Sequence, residues 1–394
     1  MINYDALIHN RSYFTLEHIK AQQQQYNFTQ AVKVETFLWD LELYGQLQRQ
    51  LEEKVILKGG AAAQLFFSPE RQRTSVDIDV IYIGEKEELY KALASIHKAF
   101  GEDDTFFKFV AYTPKNPQTI IPMETYYVTV PSLTHIKGEL HIKIDFHFAE
   151  RMDLEIVELA SANAFVLPLA FKPRCLSLGS LLGDKLLTFA RGSVGIPVER
   201  EDDIIKQLYD VDLLSRRITH QEIDTVLNSM AIHFEKESKI REERVELRVA
   251  LNQMIDLLEI YSQVNSPKCD PAIKKVVYNF RGNYEPPPFR NWLEWEILAK
   301  RLQFLVRAIE ENPGQSLVML KEAEDIERMI AFDGDQNKGE LRKLLASEFT
   351  QIIIANGQPN IAKQLKNTLP ERIYWEIVRP SNLSSIRKMI DNII

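Results

Sequence analysis

The chain contains little cysteine and no long apolar run. Only two cysteines, Cys175 and Cys269, occur among its 394 residues, which excludes a disulfide-stabilised scaffold and favours a reducing compartment. No apolar stretch approaches the ~20 residues that a membrane-spanning helix needs. The first residues lack the basic flank and apolar segment of a secretory signal. We therefore expect a cytoplasmic protein that makes no use of a membrane.

Positive charge is also scarce. The chain has 48 lysines and arginines against 56 aspartates and glutamates, which gives a formal net charge of −8. Because phosphate contacts require cations, this balance weighs against an extensive nucleic-acid surface, although it is compatible with a local basic face. The balance suits a site that gathers carboxylates around a metal ion. At 45% hydrophobic residues, the chain can form a large core and two or three domains.

The first part of the chain alternates between helical and strand patterns. Apolar residues at helical spacing predict a helix from Glu35 to Leu51, and "VILKGG" predicts a short buried strand ending at Gly59-Gly60. "AAAQLFF" then predicts a helix, "VDIDVIYI" a strand and "KEELYKALASIHKAF" an amphipathic helix. "TFFKFVAY", "METYYVTVP" and "ELHIKIDFHF" predict three further strands. The expected fold class is α+β: a small mixed β-sheet with packed helices.

After about Pro173 the pattern becomes almost entirely helical. "THQE" at Thr219–Glu222 has the spacing of a capping box, and two apolar stripes at helical spacing indicate core-facing helices. "EPPPF" at Glu285–Phe289 predicts a linker, because proline cannot continue a helix. We expect a core at 1–172, a helical region at 173–285 and a mostly helical C-terminal region of unknown role at 286–394.

Two glycines lie between the first predicted strand and the helix after it. At Gly59 and Gly60 the missing side chains let backbone N–H groups approach an anion closely, and a helix N-terminus adds a favourable dipole. On this pattern alone a plain tight turn is the commoner explanation. A phosphate-binding role for the glycines becomes stronger when the carboxylates further along the chain are considered with them.

Three aspartates fall on predicted strands. Asp77 and Asp79 alternate with apolar residues and therefore share one strand face, as ligands for a hard dication such as Mg²⁺ would. Asp145 lies on a later strand between Ile144 and Phe146. Three such carboxylates beside a phosphate-binding turn predict a phosphoryl-transfer site, in which Asp145 is a second-metal ligand or the general base.

At this point the order of motifs resembles a known family. "KGGAAAQLFF…RTSVDIDV" resembles the K-G-G-T-x-L…R-x-S-x-D-h-D signature of the AbiEii/AbiGii toxin family of nucleotidyltransferases, within the DNA polymerase β-like superfamily. "LLGDKLLTFARG" is similar to the family's helix with a characteristic lysine, which falls on Lys185. "IIKQLYDVDLL" is similar to its "RDxxDL" helix and places the second aspartate on Asp210. The resemblance covers about residues 30–215.

The resemblance also implies roles for individual residues. It implies that residues 1–172 form the nucleotidyltransferase core and that 173–285 complete the active site. The expected metal ligands, for Mg²⁺ or alternatively Mn²⁺, are Asp77, Asp79 and Asp145. The expected nucleotide-binding residues are Lys58, Gly59, Gly60, Arg73 and Ser75, although a plain solvated loop is an equal interpretation of Arg73. Lys185 would neutralise the triphosphate, and Asp210 would orient Lys185 or contact the nucleotide.

The chain departs from the family pattern in two of its motifs. Ala61 replaces the threonine after the glycine pair, and Lys206-Gln207 replace the Arg-Asp pair before Asp210. A hydroxyl contact to phosphate and one acidic contact are therefore missing. These departures support a catalytically decayed binding module as an alternative to an enzyme.

The resemblance implies a Mg²⁺-dependent nucleotidyltransferase that transfers NMP from an NTP, releases pyrophosphate and acts as the toxin of a toxin–antitoxin or abortive-infection system. It makes the tRNA 3′ end the favoured acceptor and implies a cognate antitoxin encoded nearby. A small molecule or a protein side chain is the alternative acceptor. The charge-rich segment at 236–248 predicts a solvated helix face, and its basic residues are candidates for a tRNA-binding side: Lys236, Lys239, Arg241, Arg244 and Arg248.

Overall fold

The computed structural model describes residues 3–102, 104–113, 122–135, 138–241, 245–331, 339–365 and 368–393. Within these ranges a seven-stranded mixed sheet has the order β3-β4-β5-β2-β1-β9-β6, and β7 pairs separately with β8. The strands are β1 (Val55–Lys58), β2 (Asp77–Tyr82), β3 (Lys108–Ala111), β4 (Met123–Pro131), β5 (Glu139–Phe148), β6 (Ile156–Glu158), β7 (Asn163–Ala164), β8 (Leu167–Pro168) and β9 (Arg174–Leu176).

The helices of the first part are α1 (Leu16–Gln25), α2 (Ala31–Leu51), α3 (Gly59–Gln64) and α4 (Lys86–Ala99). The predicted helix at 35–51 is present and begins four residues earlier. The helix predicted for "AAAQLFF" was misplaced, since α3 begins at Gly59 itself and ends at Gln64. α3 therefore starts directly where β1 stops, and the two glycines form its first turn.

The predicted α+β class is confirmed, and five predicted strands correspond to β1 through β5. β6 and β9 were not predicted, because three residues are too few to display an alternating pattern. β9 pairs in parallel with β1, with Leu57 opposite the buried Cys175. The sheet thus extends past the predicted boundary at residue 172, because β9 follows it. The division of the chain into regions 1–172, 173–285 and 286–394 stays a prediction.

The alternation of apolar and acidic side chains along β2 determines its register in the sheet. Ile78 and Val80 are fully buried in the core, whereas Asp77 and Asp79 on the other face are only partly buried. Burying each aliphatic side chain contributes about 1.5–3 kcal/mol. A slip of one residue would exchange these faces and drive both carboxylates into the core. The core therefore fixes the direction in which the two aspartates point.

The helices after the sheet are α5 (Leu178–Leu187), α6 (Glu201–Arg217), α7 (Ile223–Ile240), α8 (Leu247–Tyr261), α9 (Pro271–Asn283), α10 (Trp292–Glu311), α11 (Ser316–Ala331), α12 (Gly339–Ala355), α13 (Pro359–Leu365), α14 (Pro370–Ile377) and α15 (Leu383–Ile393). The predicted capping box is present, with Thr219 and Glu222 bonding reciprocally. The segment "EPPPF" connects α9 to α10. No described helix combines the length and the apolar character needed to cross a bilayer.

Helix α6 joins the sheet to the C-terminal helices through a buried carboxylate. Oδ1 of Asp212 accepts hydrogen bonds from Arg301 at 2.8 Å and Arg216 at 3.1 Å, and its Oδ2 accepts one from Arg290 at 3.1 Å. Asp212 and Arg301 are almost completely buried. Removing one partner from such a buried cluster costs about 3–5 kcal/mol. The cluster therefore holds α6, which also carries Asp210, at a fixed position.

Candidate active site

Gly59 sits at the contact between β1 and β2, and only glycine fits there. Lys58 pairs with Asp79 in the antiparallel register, and Gly59 has a φ of +69°. A Cβ atom on Gly59 would lie 2.2 Å from the Oδ2 atom of Asp79. The glycine is thus required both by its left-handed backbone and by the carboxylate packed against it.

Gly60 is enclosed by two other residues of the predicted nucleotide-binding set. A Cβ atom on Gly60 would lie 2.9 Å from a guanidinium nitrogen of Arg73 and 3.0 Å from the hydroxyl oxygen of Ser75. The Ser75 hydroxyl also donates to the Asp77 carbonyl at 3.4 Å. The two-glycine turn therefore lies against the segment that leads into β2.

The three predicted carboxylates share one face of the sheet. β2 pairs in parallel with β5, and this register places Asp145 directly beside Asp79. Since side chains alternate along a strand, Asp77 projects on the same side. Burial raises the pKa of Asp77, and the neighbouring charge of Asp79 raises it further. The strand pattern had placed Asp77 and Asp79 together, and the register adds Asp145.

Asp79 is the more acidic member of the pair. Burial alone would raise its pKa, but contact with His147 and the charges of Lys58 and Lys143 outweigh burial and lower it. The Nε2 atom of His147 lies 3.8 Å from the Oδ1 atom of Asp79. Asp79 therefore remains ionised as the central carboxylate of the cluster.

Asp145 is held by one residue of the neighbouring strand β4 and by one residue of its own strand β5. Its Oδ1 atom accepts a hydrogen bond from Thr125 at 2.6 Å, and its Oδ2 atom accepts one from Lys143 at 2.5 Å. Among the described residues no group of three metal-ligating side chains is arranged to hold a metal ion. For Asp145 the reason is that both of its oxygens accept these hydrogen bonds. A role of Asp145 as a metal ligand stays a prediction.

A buried ion cluster lies beneath the two-glycine turn. Arg73 binds Asp210 with two parallel hydrogen bonds of 2.8 and 2.7 Å, and Lys185 donates to the same carboxylate at 2.9 Å. Gln64 of α3 donates to it at 3.0 Å. Burial alone would raise the pKa of Asp210, but the charges of Arg73 and Lys185 lower it. Four donors thus fix one carboxylate and tie α3, α5 and α6 together.

This cluster refines the predicted roles of two residues. Arg73 is almost fully buried and donates its remaining bond to the Thr74 carbonyl, so the solvated-loop interpretation was wrong. Its phosphate contact stays a prediction. Asp210 does contact Lys185, as one of its two predicted roles requires, and Gln207 accepts a second hydrogen bond from Lys185 at 2.8 Å. The amide that replaces the family's aspartate therefore still positions the lysine.

One cleft of about 370 Å³ connects these groups. Eight of the ten predicted residues line it: Lys58, Gly59, Gly60, Arg73, Asp77, Asp79, Asp145 and Lys185. Ser75 and Asp210 lie directly behind this lining. Lys206 and Arg200 of the α6 region also reach the cleft, where both contact Asp203. The structure thus brings the whole predicted set together at one place.

Asp184 was missed by the sequence reasoning, although it directly precedes Lys185. Its carboxylate lies 3.4 Å from the Nζ atom of Lys58 and 3.3 Å from the Nδ1 atom of His233. Burial would raise the pKa of Asp184, but His233, Lys58 and Lys185 lower it well below its usual range. Asp184 therefore fixes Lys58 at the cleft. Its adjacency to the motif lysine was the available signal.

The charge-rich segment at 236–248 is not one helix, contrary to the prediction. α7 ends at Ile240 and α8 begins at Leu247. Lys239 pairs with Glu235 at 2.6 Å in the expected i,i+4 manner, whereas Arg241 donates to the Ser193 and Gly195 carbonyls. Arg244 lies outside the described residues. Arg241 thus supports the loop before α6, and a tRNA contact by this segment stays a prediction.

Comparison with known proteins places this cleft in a family. A family model described as "Nucleotidyl transferase AbiEii toxin, Type IV TA system" matches residues 43–313, more than half of the chain. A candidate nucleotidyltransferase from H. pylori is 13% identical, covering 71% of this chain and 98% of its own, with a TM-score of 0.36. MenT4, a nucleotidyltransferase toxin from Mycobacterium tuberculosis H37Rv, is 14% identical, covering 73% of this chain and 92% of its own, with a TM-score of 0.36. Curated sequences gave no match.

Proposed function

The chain belongs to the AbiEii family of nucleotidyltransferase toxins, and on that premise we propose that it transfers NMP from an NTP to the 3′-terminal hydroxyl of tRNA. The observation that carries the proposal is the meeting of Asp77, Asp79 and Asp145 with the Gly59-Gly60 turn and Lys185 in one cleft. Carboxylates, a backbone turn and a fixed cation are the parts that phosphoryl transfer uses.

The triphosphate binds between the two-glycine turn and α6. Without side chains at Gly59 and Gly60, its oxygens approach the backbone and the Ser75 hydroxyl. Lys185, which donates hydrogen bonds to Asp210 and Gln207, neutralises the negative charge that grows on the leaving pyrophosphate. Lys206 lines the same cleft and supplies a second cation. The amide of Gln207 keeps Lys185 in place, which favours an active enzyme over a decayed binding module.

The carboxylates suit a divalent metal. Oxygen ligands of this kind are preferred by Mg²⁺, and Mn²⁺ accepts them too. Burial raises the pKa of Asp77 and the charge of Asp79 raises it further, and a bound cation would relieve the repulsion between the two carboxylates. Asp145 completes the set when Lys143 withdraws. Bound Mg²⁺ would stabilise negative charge on the phosphate oxygens.

The transfer step proceeds from this arrangement. The acceptor oxygen attacks the α-phosphorus and forms a new P–O bond, while the bond from that phosphorus to the bridging oxygen breaks and pyrophosphate leaves. The hydroxyl proton passes to the carboxylate of Asp145, which Thr125 holds in position. The family's place in a type IV toxin–antitoxin system implies a cognate antitoxin, which we propose is encoded nearby.

The test is incubation of the purified protein with total tRNA, Mg²⁺ and each α-labelled NTP in turn. We expect label on tRNA from the wild type and none from Asp77→Ala, with Asp256→Ala on the exposed face of α8 as the matched control. Label on the protein or on a small molecule instead of tRNA would contradict the tRNA acceptor. Failure to bind any NTP with Mg²⁺ would overturn the whole proposal.

A further inference from the structure

The face of the sheet that carries the three carboxylates does not end at Asp145. In the antiparallel pairing of β4 with β5, Thr125 lies opposite Asp145 and Tyr127 opposite Lys143. In the next pairing Val110 lies opposite Tyr127, and the backbone of Tyr112 donates to the Thr125 carbonyl. Paired residues share a face. One side of the sheet therefore runs from Asp145 through Tyr127 to the β3 edge.

This side exposes three large side chains, although the smaller Thr125 and Thr129 on the same face are buried. Val110, Tyr112 and Tyr127 are 49%, 49% and 42% exposed within the described part of the chain. On the opposite face Tyr126 and Val128 are buried in the core. We call the exposed surface formed by Val110, Tyr112, Tyr127 and Lys143 the open sheet face. Contiguous exposed apolar and aromatic side chains are a feature of binding surfaces.

The open sheet face adjoins the reacting groups. Tyr127 is the diagonal neighbour of Asp145 across the β4–β5 pair, which places their Cα atoms about 7–8 Å apart. The rings of Tyr112 and Tyr127 meet edge to face with centroids 6.0 Å apart. A nucleotide whose base stacked on Tyr127 would therefore have its sugar within reach of Asp145. The ring of Tyr112 offers a second stacking position, directly beside the first one on Tyr127.

Two lysines lie on this face, and each is paired with a carboxylate. Lys143 pairs with Asp145, and Lys108, whose side chain is 43% exposed further along the face, pairs with Asp104 at 3.0 Å. Glu139 carries a further negative charge at the far end of β5. Aromatic rings interleaved with lysines are the combination that binds single-stranded nucleic acid, since every base offers a π-face and every linkage a phosphate.

We propose that the open sheet face binds the single-stranded 3′ end of the RNA acceptor, with bases stacked on Tyr127 and Tyr112 and phosphates near Lys143 and Lys108. This inference rests on the proposed function, because it delivers the terminal hydroxyl to Asp145. It differs from the nucleotide cleft, which receives the NTP. A base-paired end lacks free π-faces and would not bind in this manner.

The experiment measures binding and transfer separately. Fluorescence anisotropy follows a labelled single-stranded RNA and the same RNA annealed to its complement, without NTP, on wild type, Tyr127→Ala, Tyr112→Ala and Tyr127→Phe. Tyr278→Ala on α9, where the side chain is 69% exposed, is the matched control. Loss of one stacking position should weaken single-strand binding about 5- to 150-fold. Tyr127→Phe and Tyr278→Ala should bind as wild type.

Transfer assays with the same variants complete the test. We expect Tyr127→Ala to raise KM for the RNA acceptor and to leave KM for NTP unchanged. Equal RNA affinity in wild type and Tyr127→Ala would overturn the proposal, as would equal preference for duplex. A change of oligomeric state in the variants would instead assign the face to a second copy of the chain. If no NTP binds, the proposed function is wrong. The anisotropy measurement, which contains no NTP, still shows whether the open sheet face binds RNA.

Discussion

Substituting Gly59 by alanine tests the geometry of the two-glycine turn directly. The new Cβ atom would lie 2.2 Å from the Oδ2 atom of Asp79, and the residue would have to keep a φ of +69°. The left-handed backbone costs an alanine about 1–2 kcal/mol. Moving the Asp79 side chain out of its rotamer adds about 0.5–1.5 kcal/mol. We therefore expect Gly59→Ala to lower the free energy of unfolding by about 1.5–3.5 kcal/mol.

The larger effect should be functional, because the displaced group is a predicted metal ligand. A shift of about 1 Å in a reacting group can cost about 100-fold in rate. We expect Mg²⁺-dependent NTP binding, followed by titration calorimetry, to weaken strongly, and nucleotide transfer to fall about 100-fold. Chemical denaturation of the same protein shows whether the variant is folded under the assay conditions.

Gly314→Ala provides the matched control. A Cβ atom there meets no neighbour within 4 Å, so stability should change by less than about 1 kcal/mol. Its NTP binding should equal that of the wild type. The reasoning would be refuted if Gly59→Ala bound Mg²⁺ and NTP like the wild type and unfolded within about 0.5 kcal/mol of it.

Two further predictions concern buried charges. Asp210→Asn leaves Arg73 and Lys185 without their counter-charge and should destabilise the protein by about 3–5 kcal/mol in urea unfolding; a loss below about 1 kcal/mol would contradict the cluster. Burial lowers the pKa of His233 to about 4 despite nearby Asp184, so the unfolded chain binds a proton there that the folded chain rejects. Stability should therefore decrease by up to about 3 kcal/mol as pH falls from about 6.5 to 4. His233→Gln should flatten that decrease, and an unchanged pH profile would show that His233 does not cause it.

Local patterns determined much of this molecule. The alternation of "VDIDVIYI" placed Asp77 and Asp79 on one face, because side chains on a strand alternate and the apolar set must be buried. The capping box at Thr219–Glu222 and the buried stripe of α10 were predictable from helical spacing in the same way. The order of motifs from Gly59 to Asp210 indicated the family before any contact was known.

Contacts between distant segments were decided only in three dimensions. Nothing in the sequence specified that β2 lies parallel to β5 with Asp145 beside Asp79, since strand partners depend on the packing of the whole sheet. The pairing of Arg73 with Asp210 and the support of Lys58 by Asp184 likewise join elements that are far apart along the chain. The open sheet face is of the same kind, because the exposure of Tyr127 and Tyr112 depends on what the fold leaves uncovered. Local periodicity determines the face on which a side chain lies, whereas tertiary packing determines which residues that side chain contacts.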